Sequence, residues 1–263
     1  MNKDDFKRIL VRSPNWVGDI VMATAAFRCL RRCYPDAHIT VLIKKYGRKV
    51  IEAAPWFDQA IEYDPDGAHE GFKGHLRLVA QLRAFRFDLA VCLLNSQRGA
   101  AEALLSGARE RVGYNRNGRG WSFTQAVPPP REQGQIVPIN MVDYYLDLCY
   151  AAGCSQESRD TELCVTPEGE RQAEAILERL GRDYSKPLIA LNPGAGFGSS
   201  KCWGPDYFAA AADALVEQHN CQIIILSAPK ERPIAEAIAA TMKHPVISPI
   251  EAGVDLHNLK SIV

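Results

Sequence analysis

Hydrophobic and polar positions follow two different periods along this chain. Short apolar runs predict strands at residues 8–12, 38–43, 59–63, 89–94 and 110–113. Between them, apolar residues recur every three or four positions, which predicts amphipathic helices. Two such helical faces are formed by Ile20, Val21, Thr24, Phe27 and Leu30, and by Leu76, Val79 and Leu82. Strands that alternate with helices predict a parallel sheet covered by helices, here ending with a helix at residues 139–152.

The alternation begins again after a polar, turn-rich segment at residues 153–167. It predicts strands at 188–192, 222–226 and 246–248, and helices at 168–180, 206–218 and 231–242. The pattern therefore predicts an α/β protein with two Rossmann-like, doubly wound domains, at residues 1–165 and 166–263, and a ligand held between them.

A last amphipathic helix is predicted at residues 255–263, with Leu256, Leu259, Ile262 and Val263 on its apolar side. Only three strands of the second sheet precede it. We therefore expect the second domain to be incomplete, its sheet to have an open apolar edge, and the last helix to have little to pack against.

Charge balance narrows the range of ligands. The chain has 31 Lys and Arg against 31 Asp and Glu, so no general positive field attracts nucleic acid. A phosphate site must therefore be local, built from backbone N–H groups and one or two cations. No segment approaches the roughly 18 apolar residues of a membrane span, and the N-terminus lacks a secretory apolar region. We expect a cytoplasmic protein, and peripheral membrane contact stays open.

The eight cysteines contain no C-x-x-C pair, and the six histidines show neither H-x-x-x-H nor H-E-x-x-H spacing. We interpret the cysteines as buried thiols of a reducing compartment. We expect neither a protein-built metal site nor a cofactor.

The first candidate site is S-P-N-W-V-G-D at residues 13–19, where the first strand turns into the first helix. Ligands of open α/β sheets bind at this carboxyl edge. Asp19 would lie in the first helical turn, where helix N–H groups favour an ionised carboxylate that can accept a proton. The same spacing also fits an Asp that only caps the helix.

A glycine-rich loop follows the first strand of the second domain. Backbone N–H groups near its glycines, two hydroxyls and one lysine could surround a phosphate, although the loop is neither a P-loop nor a dinucleotide fingerprint. These candidates are Gly194, Gly196, Ser199, Ser200 and Lys201. A surface loop without a ligand is the alternative. After the next strand, Glu231 could accept hydrogen bonds from ribose hydroxyls or simply begin a helix.

Amides, arginines and an aromatic residue gather at the carboxyl edge of the first domain. The set suits a phosphorylated sugar acceptor, and a solvated loop fits it equally well. Its members are Asn95, Ser96, Arg98, Tyr114, Arg116 and Arg119.

Four of these segments together resemble the ADP-heptose:lipopolysaccharide heptosyltransferases, glycosyltransferase family 9. They are the opening S-P-N-W-V-G-D-I-V-M, the N-S at residue 95, the G-Y-x-R-x-G-R loop, and N-P-G-A with the following K-x-W. The resemblance covers the whole chain. Two positions depart from the family pattern, because Cys202 and Gly204 stand where an Arg and a Pro are usual.

The resemblance implies a GT-B fold and inverting transfer of heptose from ADP-heptose to the inner core of a lipid A-linked oligosaccharide, at the cytoplasmic face of the inner membrane. By position, Asp19 matches the family's catalytic base, Lys201 the lysine on the donor phosphates, and Glu231 the carboxylate near the ribose. The family's D-x-G-x-x-H segment would follow directly after Val263.

Three alternatives remain at this level. The chain could use another nucleotide sugar or acceptor, because these motifs fix phosphate and base better than sugar identity. It could be a non-catalytic nucleotide-sugar-binding remnant. A nicotinamide-dependent dehydrogenase is disfavoured, because G-x-G-x-x-G is absent from the sequence.

Overall fold

The structure is a computed structural model that describes residues 6–195, 201–250 and 252–263. It divides into two compact units, Met1–Cys164 and Val165–Val263. Among the described residues, no helix is both long enough and apolar enough to cross a membrane.

The N-terminal unit is built on a six-stranded parallel sheet. Its strands are β1 (Arg8–Arg12), β2 (His38–Lys44), β3 (Gln59–Tyr63), β4 (Leu89–Cys92), β5 (Glu110–Tyr114) and β6 (Gln125–Val127). Its helices are α1 (Val17–Met22), α2 (Thr24–Cys33), α3 (Lys45–Ile51), α4 (Gly71–Ala84), α5 (Gln97–Leu105) and α6 (Met141–Ala151). A small hairpin, β7 (Arg131–Glu132) with β8 (Gln135–Ile136), precedes α6.

The strand order is β3-β2-β1-β4-β5-β6, so β1 and β4 lie side by side in the middle. Leu10 of β1 and Leu42 of β2 pack against Leu78 and Leu82 of α4 in a buried cluster. Helix α6 contacts β4 and β5 and also packs against α1 and α2. Side chains of β1 are buried on both faces because helices cover both sides of the sheet, as expected for a parallel arrangement.

The pairing of these strands aligns three loops. Arg12 of β1 is in register with Cys92 of β4, and Cys92 is in register with Gly113 of β5. Because parallel strands end at the same edge, the chain segments after β1, β4 and β5 leave the sheet next to one another. All but one of the candidate residues of this unit follow these three strands, and Tyr114 is the last residue of β5.

The predicted helical face on α4 is wrong in part. Leu82 is buried, but Leu76 is 50% exposed, and Leu78 occupies the core position instead. On the other predicted face, Ile20, Thr24, Phe27 and Leu30 are buried and Val21 is half-buried, although Ala23 separates α1 from α2.

The C-terminal unit has a three-stranded parallel sheet of β9 (Leu188–Leu191), β10 (Gln222–Ile225) and β11 (Val246–Ile247), in the order β11-β10-β9. Its helices are α7 (Pro167–Arg179), α8 (Pro205–His219), α9 (Arg232–Thr241) and α10 (Leu256–Ile262). Ile225 packs with α8 and α9, whereas its neighbour Ile224 packs with α7, because successive strand residues point to opposite faces.

Helix α10 corrects one expectation. It packs along α7, and Ile262 joins Leu177, Ile224 and Ile247 in a shared apolar cluster. Asp255 caps its first turn by accepting hydrogen bonds from the backbone N–H groups of His257 and Asn258. The prediction that this helix has little to pack against is therefore wrong.

Candidate active site

Asp19 lies in the first turn of α1 and lines a cavity of about 230 Å³ at the carboxyl edge of the sheet. The walls come from the segments after β1 and β4 and from the start of α6. Asn15, Trp16, Asn95, Met141 and Tyr145 are among the lining residues. The side chain of Asp19 is half-buried, so one carboxylate is held at a site that a small polar group can reach.

Tyr145 approaches this carboxylate from α6. Its hydroxyl donates a 3.0 Å hydrogen bond to Asp19 Oδ1, and the ring is only 2% exposed. Burial raises the pKa of the Tyr145 phenol above its ordinary value, and the nearby carboxylate raises it further. The phenol therefore stays protonated and remains a hydrogen-bond donor.

Asn95, on the segment after β4, is fixed from two sides. Its Oδ1 accepts hydrogen bonds from Arg119 Nη2 and from the Tyr144 hydroxyl, the latter at 3.1 Å. With the amide oxygen engaged by two donors, the amide nitrogen is left to donate to another group. Asn95 is exposed and borders both the Asp19 cavity and a second cavity beside it.

The second cavity measures about 270 Å³ and shares Asn95 and Met141 with the first. Its wall is mainly apolar and includes Ile136 and residues 137–139. Arg116 is half-buried in this wall and is its cationic residue. The two neighbouring cavities together place a carboxylate, an amide and a guanidinium along one edge of the N-terminal unit.

Two of the predicted acceptor-binding residues are buried. Tyr114 is 2% exposed, stacks on Tyr144 with ring centroids 3.8 Å apart, and donates its hydroxyl to the Tyr144 carbonyl and toward Asp147 Oδ2. Arg119 is 1% exposed and also donates through Nε to the Tyr114 carbonyl at 3.1 Å. Burial lowers the pKa of the Arg119 guanidinium below its ordinary value. Arg119 therefore holds the Asn95 amide in place, and Tyr114 holds Tyr144.

The two remaining residues of that set have local partners. Ser96 caps α5, because its Oγ accepts a 3.0 Å hydrogen bond from the Gly99 amide. Arg98 is exposed, lies over the ring of Tyr63 and donates to its hydroxyl. It borders a separate surface cavity with His75 and Gln97.

The sequence pattern does not indicate two functional candidates of this unit. Tyr145 reads as an apolar helix position, and it meets Asp19 from 126 residues away in the chain. Arg12, which ends β1, forms a buried ion pair with Glu102 and donates at 2.8 Å to the carbonyl of Ser13, where the Asp19 loop begins. A charged residue at the end of an apolar strand was the available signal for Arg12.

In the C-terminal unit, the loops after β9 and β10 lie together because Leu191 is in register with Ile225. The carboxylate of Glu231 packs directly against Gly194, so that a Cβ at Gly194 would overlap it. Glu231 is half-buried, and its Oε2 accepts a 2.9 Å hydrogen bond from the Ala228 amide. A glycine is thus needed at position 194 for this close approach.

Lys201 is exposed and stands four positions before the start of α8. The predicted ligands Gly196, Ser199 and Ser200 lie outside the described residues. Ser227, two residues after the end of β10, has a buried hydroxyl that finds no hydrogen-bond partner among the residues that the structure describes. An unsatisfied buried hydroxyl is costly, so this edge offers a polar atom to a ligand.

Comparisons with known proteins bear on this site. The family model for glycosyltransferase family 9 (heptosyltransferase) matches residues 75–259. Lipopolysaccharide heptosyltransferase 2 of Escherichia coli (strain K12) is 26% identical over 242 residues, which cover 89% of this chain and 67% of the relative. The chain therefore spans about two thirds of the length of that curated relative.

Two solved structures share the fold. A glycosyl transferase family 9 protein from Veillonella parvula matches with a TM-score of 0.87 and 21% identity, covering 98% of this chain and 73% of that one. E. coli ADP-heptose lps heptosyltransferase II matches with a TM-score of 0.76 and 23% identity, covering 97% and 76%. These likenesses confirm the predicted α/β fold class of GT-B type.

The family match includes the segments that carry Asn95, Arg116, Lys201 and Glu231, and it extends over more than half of the chain. Asp19 lies before the first matched residue, in the S-P-N-W-V-G-D-I-V-M motif. The chain belongs to glycosyltransferase family 9, the heptosyltransferase family.

Proposed function

We propose that this chain transfers heptose from ADP-heptose to the inner core of lipopolysaccharide, with inversion at the anomeric carbon. The observation that carries the proposal is the half-buried Asp19 carboxylate, held in a cavity at the carboxyl edge of the sheet beside Tyr145 and Asn95. The names of the relatives support the choice of ADP-heptose and lipopolysaccharide.

Asp19 acts as general base in this proposal. It takes the proton of the acceptor hydroxyl while the hydroxyl oxygen attacks the anomeric carbon and the bond to ADP breaks. A positioned base contributes a factor on the order of 100 to 10,000 to the rate. Attack from the face opposite ADP inverts the centre in one step, so that no covalent enzyme intermediate is required.

The acceptor binds along the two neighbouring cavities of the N-terminal unit. The amide nitrogen of Asn95 donates to an acceptor oxygen, and Arg116 pairs with an anionic group of the acceptor. We assign Tyr114 and Arg119 the task of holding Asn95 and Tyr144 in place, because both are buried. Ser96 and Arg98 stay candidates for acceptor binding at the start of α5.

The donor binds to the C-terminal unit. Lys201 and the backbone donors around Gly194 stabilise the charge that develops on the leaving diphosphate. Glu231 accepts hydrogen bonds from the ribose hydroxyls, and the Ser227 hydroxyl supplies a further polar contact. Gly196, Ser199 and Ser200 belong to the same proposed phosphate loop.

We further propose that the reaction takes place at the cytoplasmic face of the inner membrane through peripheral contact. A lipid A-linked acceptor is anchored in that membrane, whereas a nucleotide sugar is a water-soluble donor. The enzyme must therefore meet its two substrates at the surface.

The test is incubation of the purified chain with ADP-heptose and a heptose-bearing core oligosaccharide, followed by mass spectrometry. We expect the acceptor to gain one heptose and Asp19→Asn to abolish most of the gain. Parallel incubations with other nucleotide sugars test for a different donor. Tight ADP binding by calorimetry without any transfer would instead identify a non-catalytic binding protein.

A further inference from the structure

Tyr145 is the described side chain whose hydroxyl bonds to the candidate base, and nothing in the proposed transfer step itself requires it. Its ring is buried in α6 and packs edge-on against Tyr144, with the centroids 6.2 Å apart. Helix α6 packs against α2, and at this contact the Cys149 thiol lies 3.6 Å from the Ala26 carbonyl oxygen. The hydroxyl is therefore presented by a fixed scaffold.

We infer that Tyr145 is a positioning residue for the base: its hydroxyl binds Oδ1 of Asp19, fixes the direction of the carboxylate and leaves Oδ2 for the acceptor hydroxyl. The inference rests on the proposed role of Asp19. A hydrogen bond to one oxygen limits rotation of the carboxylate, so the second oxygen has a defined direction.

The residues around the cavity show why this hydrogen bond can orient the Asp19 carboxylate. Among the residues lining the cavity, Asp19 and Tyr145 are the titratable ones, and the others are amides or apolar side chains. Arg12, beneath the loop, reaches Asn15 Oδ1 at 3.5 Å, and Tyr46 of α3 donates to the Asn15 carbonyl. These neighbours hold the loop rather than the carboxylate.

A purely structural role for Tyr145 predicts a different result from a positioning role. Phe fills the same space as Tyr, so Tyr145→Phe removes the hydroxyl and keeps the packing of the ring. Tyr150→Phe is the matched control, because Tyr150 lies on the same helix and its hydroxyl bonds to the Glu157 amide. If the Tyr145 hydroxyl has only a structural role, both variants should leave the Asp19 carboxylate unchanged. If it positions the base, only Tyr145→Phe should change that carboxylate.

The first measurement needs no transfer activity. The carboxyl ¹³C chemical shift of Asp19, assigned by its loss in Asp19→Asn, is compared at one fixed pH in the parent chain and in both tyrosine variants. We expect the signal to move in Tyr145→Phe and to stay in place in Tyr150→Phe, because only the first variant loses the hydrogen bond to Oδ1. Replacement of Tyr145 by 3-fluorotyrosine, a stronger donor of nearly the same shape, should move the signal in the opposite direction. An unchanged signal in both Tyr145 substitutions overturns the inference, even if the chain also transfers heptose.

The second measurement is a double-mutant cycle on the transfer rate. We expect Tyr145→Phe to lower kcat by about tenfold with little change in the KM for ADP-heptose, and to have no further effect once Asp19→Asn is present. Equal losses in both backgrounds would show that Tyr145 acts independently of the base. A parent chain without any transfer refutes the proposed function and leaves the ¹³C chemical shift of Asp19 to decide the role of Tyr145.

Discussion

Arg12 and Glu102 form an ion pair in the interior of the N-terminal unit, where their side chains are 1% and 0% exposed. Arg12 Nε donates to Glu102 Oε2, and the guanidinium carbon lies 5.6 Å from the ring centre of Tyr63. Glu102 Oε1 has no hydrogen-bond partner within the described part of the chain. The pair links the end of β1 to α5 directly beneath the Asp19 loop.

Removing one member of this pair should be costly. We expect Arg12→Met to lower the free energy of unfolding by about 3 to 5 kcal/mol, because it leaves the Glu102 carboxylate buried without its cation. The double variant Arg12→Met with Glu102→Leu should recover most of that loss. Urea denaturation measures both. Equal losses in the single and the double variant would mean that packing, not charge, makes Arg12 important.

Asp19→Asn tests the base. We expect kcat to fall by a factor on the order of 100 or more, because an amide cannot take up the acceptor proton. Folding and the affinity for ADP should change little, since Asn has nearly the same shape and the predicted nucleotide ligands belong to the C-terminal unit. Initial rates and calorimetry check the two parts, and near-normal turnover in the purified variant would remove Asp19 from the mechanism.

Lys201→Ala tests the donor phosphate contact. We expect ADP to bind about tenfold more weakly, because a diphosphate loses one charge-assisted contact. Lys186→Ala is the matched control, since Lys186 stands before β9, at the end of the strand opposite the glycine-rich loop. Its Nζ lies 3.9 Å from Asp183 Oδ2. Titration calorimetry should separate the two variants. Similar affinities in both would exclude Lys201 from the phosphate site.

Gly194→Ala tests the contact between two loops of the C-terminal unit. A methyl group at this position displaces the Glu231 carboxylate, which is the flexible end of its side chain. We therefore expect the stability to change by only about 1 kcal/mol. ADP affinity should fall roughly tenfold through loss of the ribose contact. Glu231→Ala should show the same loss, and the double variant should be no weaker than either; additive losses would show two separate contacts.

Arg116→Ala tests the acceptor subsite. We expect the KM for an anionic acceptor to rise about tenfold with kcat nearly kept, because the lost contact serves binding and not the chemical step. Arg109→Ala provides the control, because Arg109 is exposed and stands directly before β5, at the end of the strand opposite the carboxyl edge. An unchanged KM in Arg116→Ala would assign acceptor binding to other residues.

Most of the strands and helices, and the two sheet edges that carry the candidate residues, follow from the sequence alone. All eight predicted strands are present, with ends that differ by at most two residues, because short apolar runs and helical periods are local properties. The order of residues along the chain also places Asp19 after β1 and Glu231 after β10. The pattern missed β6, at Gln125–Val127, whose three residues are too few to show a period. It also missed the hairpin of β7 and β8 and the helices α3 and α5. It also placed Leu76 in the core, because spacing defines a helical face but not which part of that face meets the sheet.

Which distant residues meet depends on the tertiary structure. Tyr145 lies 126 residues from Asp19, and Glu102 lies 90 residues from Arg12. Both contacts depend on the order of the strands and on the helices packed across them, and no local pattern contains that order. The same holds for α10, whose place along α7 follows from the shape of the packed C-terminal unit. Periodicity is set by neighbours in the chain, whereas a site is set by neighbours in space.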